Sequence, residues 1–124
     1  MIFPSDINLH WISRDSDIDK LQELHNEKFI GIDSEWRPEL NYKHKTQPAL
    51  LQISGKKNSF LIDIKALSQN KKLDLILSKI FSSKEITIIG FGFQSDFYKF
   101  KTKLPQMKFI QYIENFFDIQ DYIS

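Results

Sequence analysis

The sequence has no cysteine, which excludes disulfides and thiolate metal sites. That lack fits the cytosol or nucleus, and an intracellular location is the expectation, although absent thiols alone do not establish it. Net charge is also nearly missing: 17 basic residues stand against 16 acidic ones, leaving +1. No overall basic field exists to hold nucleic acid, so any such role must rest on a local site. The longest apolar runs are far shorter than a membrane span, and no membrane partner is expected. Met1 to Asp6 has no basic flank and no apolar stretch behind it, so it does not read as a secretory signal. There is no internal repeat, low-complexity tract or linker.

What is present suits one domain over residues 1–124. The chain is 41% hydrophobic and 27% charged, near the soluble globular average, and its 11 phenylalanines point to an aromatic core. Asn8 to Ile12 alternates as a short strand. Ser16 with Asp19 resembles a helix start, followed by the apolar stripe Ile18, Leu21 and Leu24 and closed by Asn26. Phe29 to Trp36 reads as a strand ended by Pro38. A polar loop, residues 39–47, leads to a strand over Ala49 to Ser54. A Gly55–Asn58 turn then returns the chain as a hairpin strand over Ser59 to Ile64. Leu73, Ile76, Leu77, Ile80 and Phe81 share one helical face. Ile86 to Ile89 is a short buried strand broken by Gly90 and Gly92. Phe93, Phe97, Phe100 and Leu104 trace a further helix stopped by Pro105. Phe109 to Ile113 and Phe116 to Ile119 are candidates for a last strand. Hairpins followed by helix–strand–helix units make an α/β fold with a mixed sheet.

Asp33 and Glu35 are the sharpest chemical feature. Residues two apart on a strand share a face and lie about 6.6 Å apart along it. Gly31, Asp33 and Glu35 therefore point one way, and Ile30, Ile32, Ser34 and Trp36 the other. Two carboxylates on one face of an apolar strand repel each other unless a cation lies between them. Mg²⁺ or Mn²⁺, hard ions that take oxygen ligands, are the natural occupants. An isolated pair at this spacing is more often simply solvated. Asp96 changes that balance, because it follows the strand Ile86–Ile89 at the start of a helix. In an α/β sheet, groups at the carboxyl ends of strands converge on one crevice. From spacing alone, a metal site and a set of solvated acids are about equally supported.

Four blocks carry a resemblance: Phe29 to Trp36, Gln47 to Ile53, Phe60 to Asp63, and Ile89 to Asp96. In that order they resemble the RNase D and Werner-type (DEDD) 3′–5′ exonuclease domains of the DnaQ-like, ribonuclease H-fold superfamily, over roughly residues 8 to 122. The resemblance implies a ribonuclease H-like mixed sheet flanked by helices. It also implies two-metal phosphodiester hydrolysis at the 3′ end of single-stranded RNA or DNA, with Mg²⁺ or Mn²⁺ as cofactor. Carried over, Asp33 bridges both ions, Glu35 holds the nucleophile-side ion, and Asp96 completes the coordination. Ser34 and Trp36 flank these ligands as candidate contacts for the terminal nucleotide, although their side chains point the other way. Asp63 matches a structural position, and Asp118 with Gln120 looks like a later segment outside the catalytic motifs.

The departure is at the end. The family's third motif, a Tyr or His a few residues before another Asp, has no match after Asp96. Tyr112 has Phe116 four residues on, and Tyr122 is followed only by Ile123 and Ser124. The fold is thus expected to be truncated before its last helices and the chemistry impaired, with one ion or none bound. Bare apolar surface is expected around Phe109, Ile110, Ile113, Phe116 and Phe117, open to a protein partner on that side. The alternative is a catalytically inactive module binding RNA or protein. A dinucleotide-binding turn at Gly90–Gly92 is a poorer reading, because Asp96 would place negative charge beside the pyrophosphate. His10, His25 and His44 show no ligand spacing, and the basic stretch Asn41 to Lys45 reads as a solvated loop.

Overall fold

The computed structural model describes residues 6–36 and 48–123. Pro38 and the loop 39–47, including the basic stretch and His44, lie outside the described residues. Strand β1 (Asn8–Ile12) leads into a 3₁₀ helix (Asp15–Asn26), then β2 (Phe29–Trp36), β3 (Pro48–Ser54) and β4 (Asn58–Asp63). Helices α1 (Ile64–Leu67) and α2 (Lys71–Phe81) follow, then β5 (Thr87–Gly90) and α3 (Gln94–Lys103). A short 3₁₀ turn (Phe109–Tyr112), β6 (Phe116–Asp118) and α4 (Gln120–Ile123) close the chain.

The six strands form one mixed sheet in the order β1-β4-β3-β2-β5-β6. β2, β3 and β4 run antiparallel to their sequential neighbours, whereas β1 lies parallel to β4, and β2, β5 and β6 are mutually parallel. The carboxyl ends of β2, β5 and β6 therefore finish at the same end of the sheet.

Alternation along the strands separates the two faces. Ile30, Ile32, Leu51, Ile53, Phe60, Ile62 and Ile88 are buried, and with Leu73, Leu77, Ile80, Phe81 and Phe100 of the helices they form one core. Phe81 and Phe100 each meet Phe109 edge to face, at centroid distances of 5.1 and 5.6 Å, geometry that adds to the area buried. Asn70 caps α2 by accepting from the Leu73 amide at 2.9 Å, and Asp63 caps α1 through Ala66 at 3.1 Å.

Two elements differ from expectation. Residues 15–26 form a 3₁₀ helix that starts at Asp15 with no side-chain cap. Ser16 does not cap it, and Asp19 instead meets Lys72 at 2.9 Å. Ile18, Leu21 and Leu24 recur every third residue, a period that a three-residue turn places on one face, and all three are buried. Residues 109–112 coil rather than extend, since the Phe109 amide donates to Asp74 at 2.9 Å and its ring is buried. The last strand is confined to Phe116–Asp118.

Of the residues expected to leave bare apolar surface, only Phe117 is exposed. Phe109 is fully buried, and Ile110, Ile113 and Phe116 pack against the core. The exposed apolar residues on the opposite side of the sheet are Leu9, Trp11, Phe29 and Phe117, continued past the strand ends by Phe91 and Ile119. Leu9 and Trp11 stand on the β1 edge strand and Phe29 and Phe117 on β2 and β6 toward the other edge, and exposed apolar surface of this kind favours association. The isolated chain is therefore expected to bind a hydrophobic-surface dye and to self-associate as concentration rises. Phe29→Ser with Phe117→Ser should lower both signals by several-fold. A dye-silent monomer at all concentrations in light scattering would contradict this.

Candidate active site

Asp33 and Glu35 stand near the carboxyl end of β2, with exposed side chains on the open side of the sheet. Their neighbours Ile30 and Ile32 point into the core, and Ser34 and Trp36 are half-buried. The faces expected from the strand period are thus the faces observed. β5 runs parallel beside β2, pairing Gly31 with Ile89. After Gly90 the chain turns through Phe91, Gly92 and Phe93 into α3, whose first turn carries Asp96.

Gly92 is in the left-handed region at φ 60, which is what favours glycine there; a Cβ would come within 2.6 Å of Gln120 Oε1, a side-chain end that can move aside. The turn is fixed from outside by Asp118, which sequence reading assigned only to a non-catalytic segment. Its carboxylate is 4% exposed and accepts from the backbone amides of Gly92 (2.8 Å), Gln120 (3.0 Å) and Phe93 (3.1 Å). Those bonds, the Gly92 amide foremost, hold the Asp118 carboxyl below the usual carboxylate range against the opposing effect of burial. An aspartate at a strand end, opposite a Gly-x-Gly turn lacking its own cap, was the available signal. The same contacts remove the dinucleotide reading, because the amides that would receive a pyrophosphate already hold a carboxylate.

A depressed folded-state pKa contributes stability that is present above the ordinary value of 3.8 and lost as pH falls through the folded value. Asp118→Asn should therefore lower the thermal midpoint by several degrees at neutral pH. Its deficit relative to wild type should shrink below about pH 3.8. A pH-independent deficit would show that shape, not charge, matters at this position.

Asp33 behaves in the opposite way. Although the residue is exposed, partial loss of hydration at the carboxyl pushes it above the usual value; the Ser34 amide, donating to Oδ1 at 2.9 Å, opposes this, and the charges of Asp96 and Glu35 push it further up. Asp96 is thus near enough to act on Asp33 from across the strand ends. Its own Oδ1 accepts the Trp36 indole N–H at 2.8 Å, and the same N–H also reaches Ser34 Oγ at 3.0 Å. The Trp36 ring meets Phe100 edge to face at 5.1 Å, with Lys99 Nζ 5.4 Å from its centroid. Among the described residues, no three carboxylates or histidines are gathered closely enough to form a ligand group. By donor type, though not by their spacing here, Asp33, Glu35 and Asp96 suit a hard divalent ion. They are carboxylates from the end of β2 and the first turn of α3, and their mutual repulsion is what a cation would relieve.

His10 is engaged elsewhere, its Nε2 2.9 Å from Asn58 Oδ1 and its ring stacked on Phe60 at 4.8 Å. Beside Asp33 the open side of the sheet has a hollow of about 260 Å³, lined by Gly31, Gln52, Ser54, Ile89, Phe91 and Ile119 among others.

A 3′–5′ exonuclease family model matches residues 9–123. The chain belongs to the 3′–5′ exonuclease family. The human exonuclease mut-7 homolog is 26% identical over 112 residues, covering 84% of this chain and 13% of that protein. The chain thus spans about an eighth of the length of that curated relative. Among solved structures, the EXO domain of Aedes aegypti Nibbler superposes with a TM-score of 0.78 at 17% identity, over 98% of this chain and 57% of that one. Trypanosoma brucei RNase D, solved with RNA U12, gives 0.73 at 19% identity, over 92% and 38%. The fold is a DnaQ-like, ribonuclease H-like α/β fold, with a mixed six-stranded sheet flanked by helices. No helix among the described residues is long and apolar enough to cross a membrane.

Proposed function

We propose that Asp33, Glu35 and Asp96 are the metal-binding corner of a 3′–5′ exonuclease site acting on single-stranded nucleic acid ends, and that catalysis is impaired in this chain. The carrying observation is the meeting of parallel strand ends, where Asp33 is pushed up by partial loss of hydration and by the charges of Asp96 and Glu35. Bound Mg²⁺ or Mn²⁺ supplies water activation and neutralises charge on the leaving 3′-oxygen. Asp33 and Glu35 would hold the ion from the open side of the sheet, and Asp96 from the start of α3. Trp36 and Ser34, both half-buried, are the proposed contacts for a terminal nucleotide. RNA is the favoured substrate class, on the likeness to an RNase D crystallised with RNA.

The proposed impairment concerns residues 1–124 taken by themselves, where no Tyr or His stands a few residues ahead of another Asp after Asp96. The second reading, an inactive module that binds RNA or a protein partner, is favoured by the exposed apolar residues Phe29 and Phe117 on the open face. Anisotropy of a labelled single-stranded RNA separates the two. The nuclease reading expects binding that needs Mn²⁺, weakens with a 3′-phosphate, and is lost in Asp33→Ala. Cation-independent binding that survives Asp33→Ala would replace it with the inactive-module reading.

A further inference from the structure

The Trp36 indole reaches one of the three carboxylates, that of Asp96. Trp36 lies where the β2–β3 register shifts, between Glu35 and Trp36, so the strand end departs from regular pairing there. The ring is anchored on Phe100, a fully buried residue one turn along α3 from Asp96. An indole has a single N–H donor and accepts nothing through it. That donor is aimed at Asp96 Oδ1 at 2.8 Å, with Ser34 Oγ as its second acceptor at 3.0 Å. A bond to an ionised acceptor is shorter and stronger than a neutral one, so the shorter arm of the fork is the one that sets the carboxylate.

We infer that Trp36 is a positioning residue for Asp96: its indole N–H fixes one carboxylate oxygen and leaves the other free to meet a cation bound with Asp33 and Glu35. This rests on the metal-site reading above and adds to it the group that orients the ligand. Partners behind a metal ligand commonly change metal affinity by about 10- to 100-fold when removed. The arrangement also makes Trp36 a built-in reporter, because anything that moves Asp96 changes the electrostatics at the indole nitrogen. The other tryptophan, Trp11, is 53% exposed on β1 and takes no part.

The test uses the full 124-residue chain carrying Trp11→Phe, so that Trp36 is the sole tryptophan. Mn²⁺ affinity is read by electron paramagnetic resonance, and the Trp36 indole N–H resonance is followed as Mg²⁺ is added. The indole resonance should shift with Mg²⁺ in the otherwise wild-type chain and lose that response in Asp96→Ala. Trp36→Phe keeps a ring against Phe100 and lacks the donor, so it should keep its thermal midpoint within a few degrees while Mn²⁺ affinity falls about ten-fold. Ser34→Ala, which leaves the indole to Asp96 alone, should bind Mn²⁺ at least as well as wild type. Equal Mn²⁺ affinity in Trp36→Phe and its parent, or an indole resonance indifferent to Asp96→Ala, would overturn the inference while leaving the metal site standing. A parent chain that binds no Mn²⁺ would overturn both.

Discussion

Single-stranded RNA or DNA labelled at its 3′ end is expected to survive incubation with this chain, even in Mn²⁺. The residues present supply three carboxylates and no partner able to orient or deprotonate the attacking water. General acid–base groups each contribute about 10²- to 10⁴-fold, and loss of a fourth ligand weakens the two-ion clamp as well. Hydrolysis should therefore lie at least about a hundred-fold below that of a chain that also carries a Tyr or His ahead of a further Asp. Extending the chain to include such a segment, if its reading frame encodes one, should restore activity that Asp96→Ala then removes. Efficient 3′ trimming by residues 1–124 alone, abolished by Asp96→Ala, would show that the third motif is unnecessary or otherwise supplied.

The second large effect concerns stability. A carboxyl whose folded-state pKa is raised contributes stability below its ordinary value of 3.8, and this is lost as pH rises through the folded value. At neutral pH in chelator, ionised Asp33 therefore works against the fold, and Asp33→Asn should raise the thermal midpoint by a few degrees. Mn²⁺ reverses the order. An ion bound only by the folded state at a hundred times its dissociation constant stabilises it by about 2.7 kcal/mol, and only the parent chain can draw on that. Differential scanning calorimetry in chelator and in Mn²⁺ reads both arms. An Asp33→Asn chain less stable than wild type in chelator would mean that Asp33 is a structural residue.

β2 was legible because period-two alternation alone decides its faces: Ile30 and Ile32 went inward and Asp33 and Glu35 outward without help from any distant residue. That Asp33 and Asp96 lie toward one end of the sheet was legible for a related reason, since parallel β2 and β5 finish there. The segment 15–26 was harder to read. Its apolar spacing of three is close to a helical turn of either kind, and only packing decided for the tighter one. Residues 109–112 were misread because Phe109 looks strand-like, whereas its amide bond to Asp74 and its contact with Phe81 are long-range facts. Trp36 and Asp118 lay furthest from reach. Each acts through a hydrogen bond to a group 25 or more residues away, between Trp36 and Asp96 and between Asp118 and Phe93, and spacing within one strand carries no trace of such a partner.

The central claim is that Asp33, Glu35 and Asp96 hold a divalent cation. Calorimetric titration of Mn²⁺ into the wild-type chain and into Asp33→Ala, Glu35→Ala tests it most directly. The account predicts saturable, weak binding with a stoichiometry near one for wild type, and heats of dilution only for the double variant. Equal heats for the two proteins would contradict it.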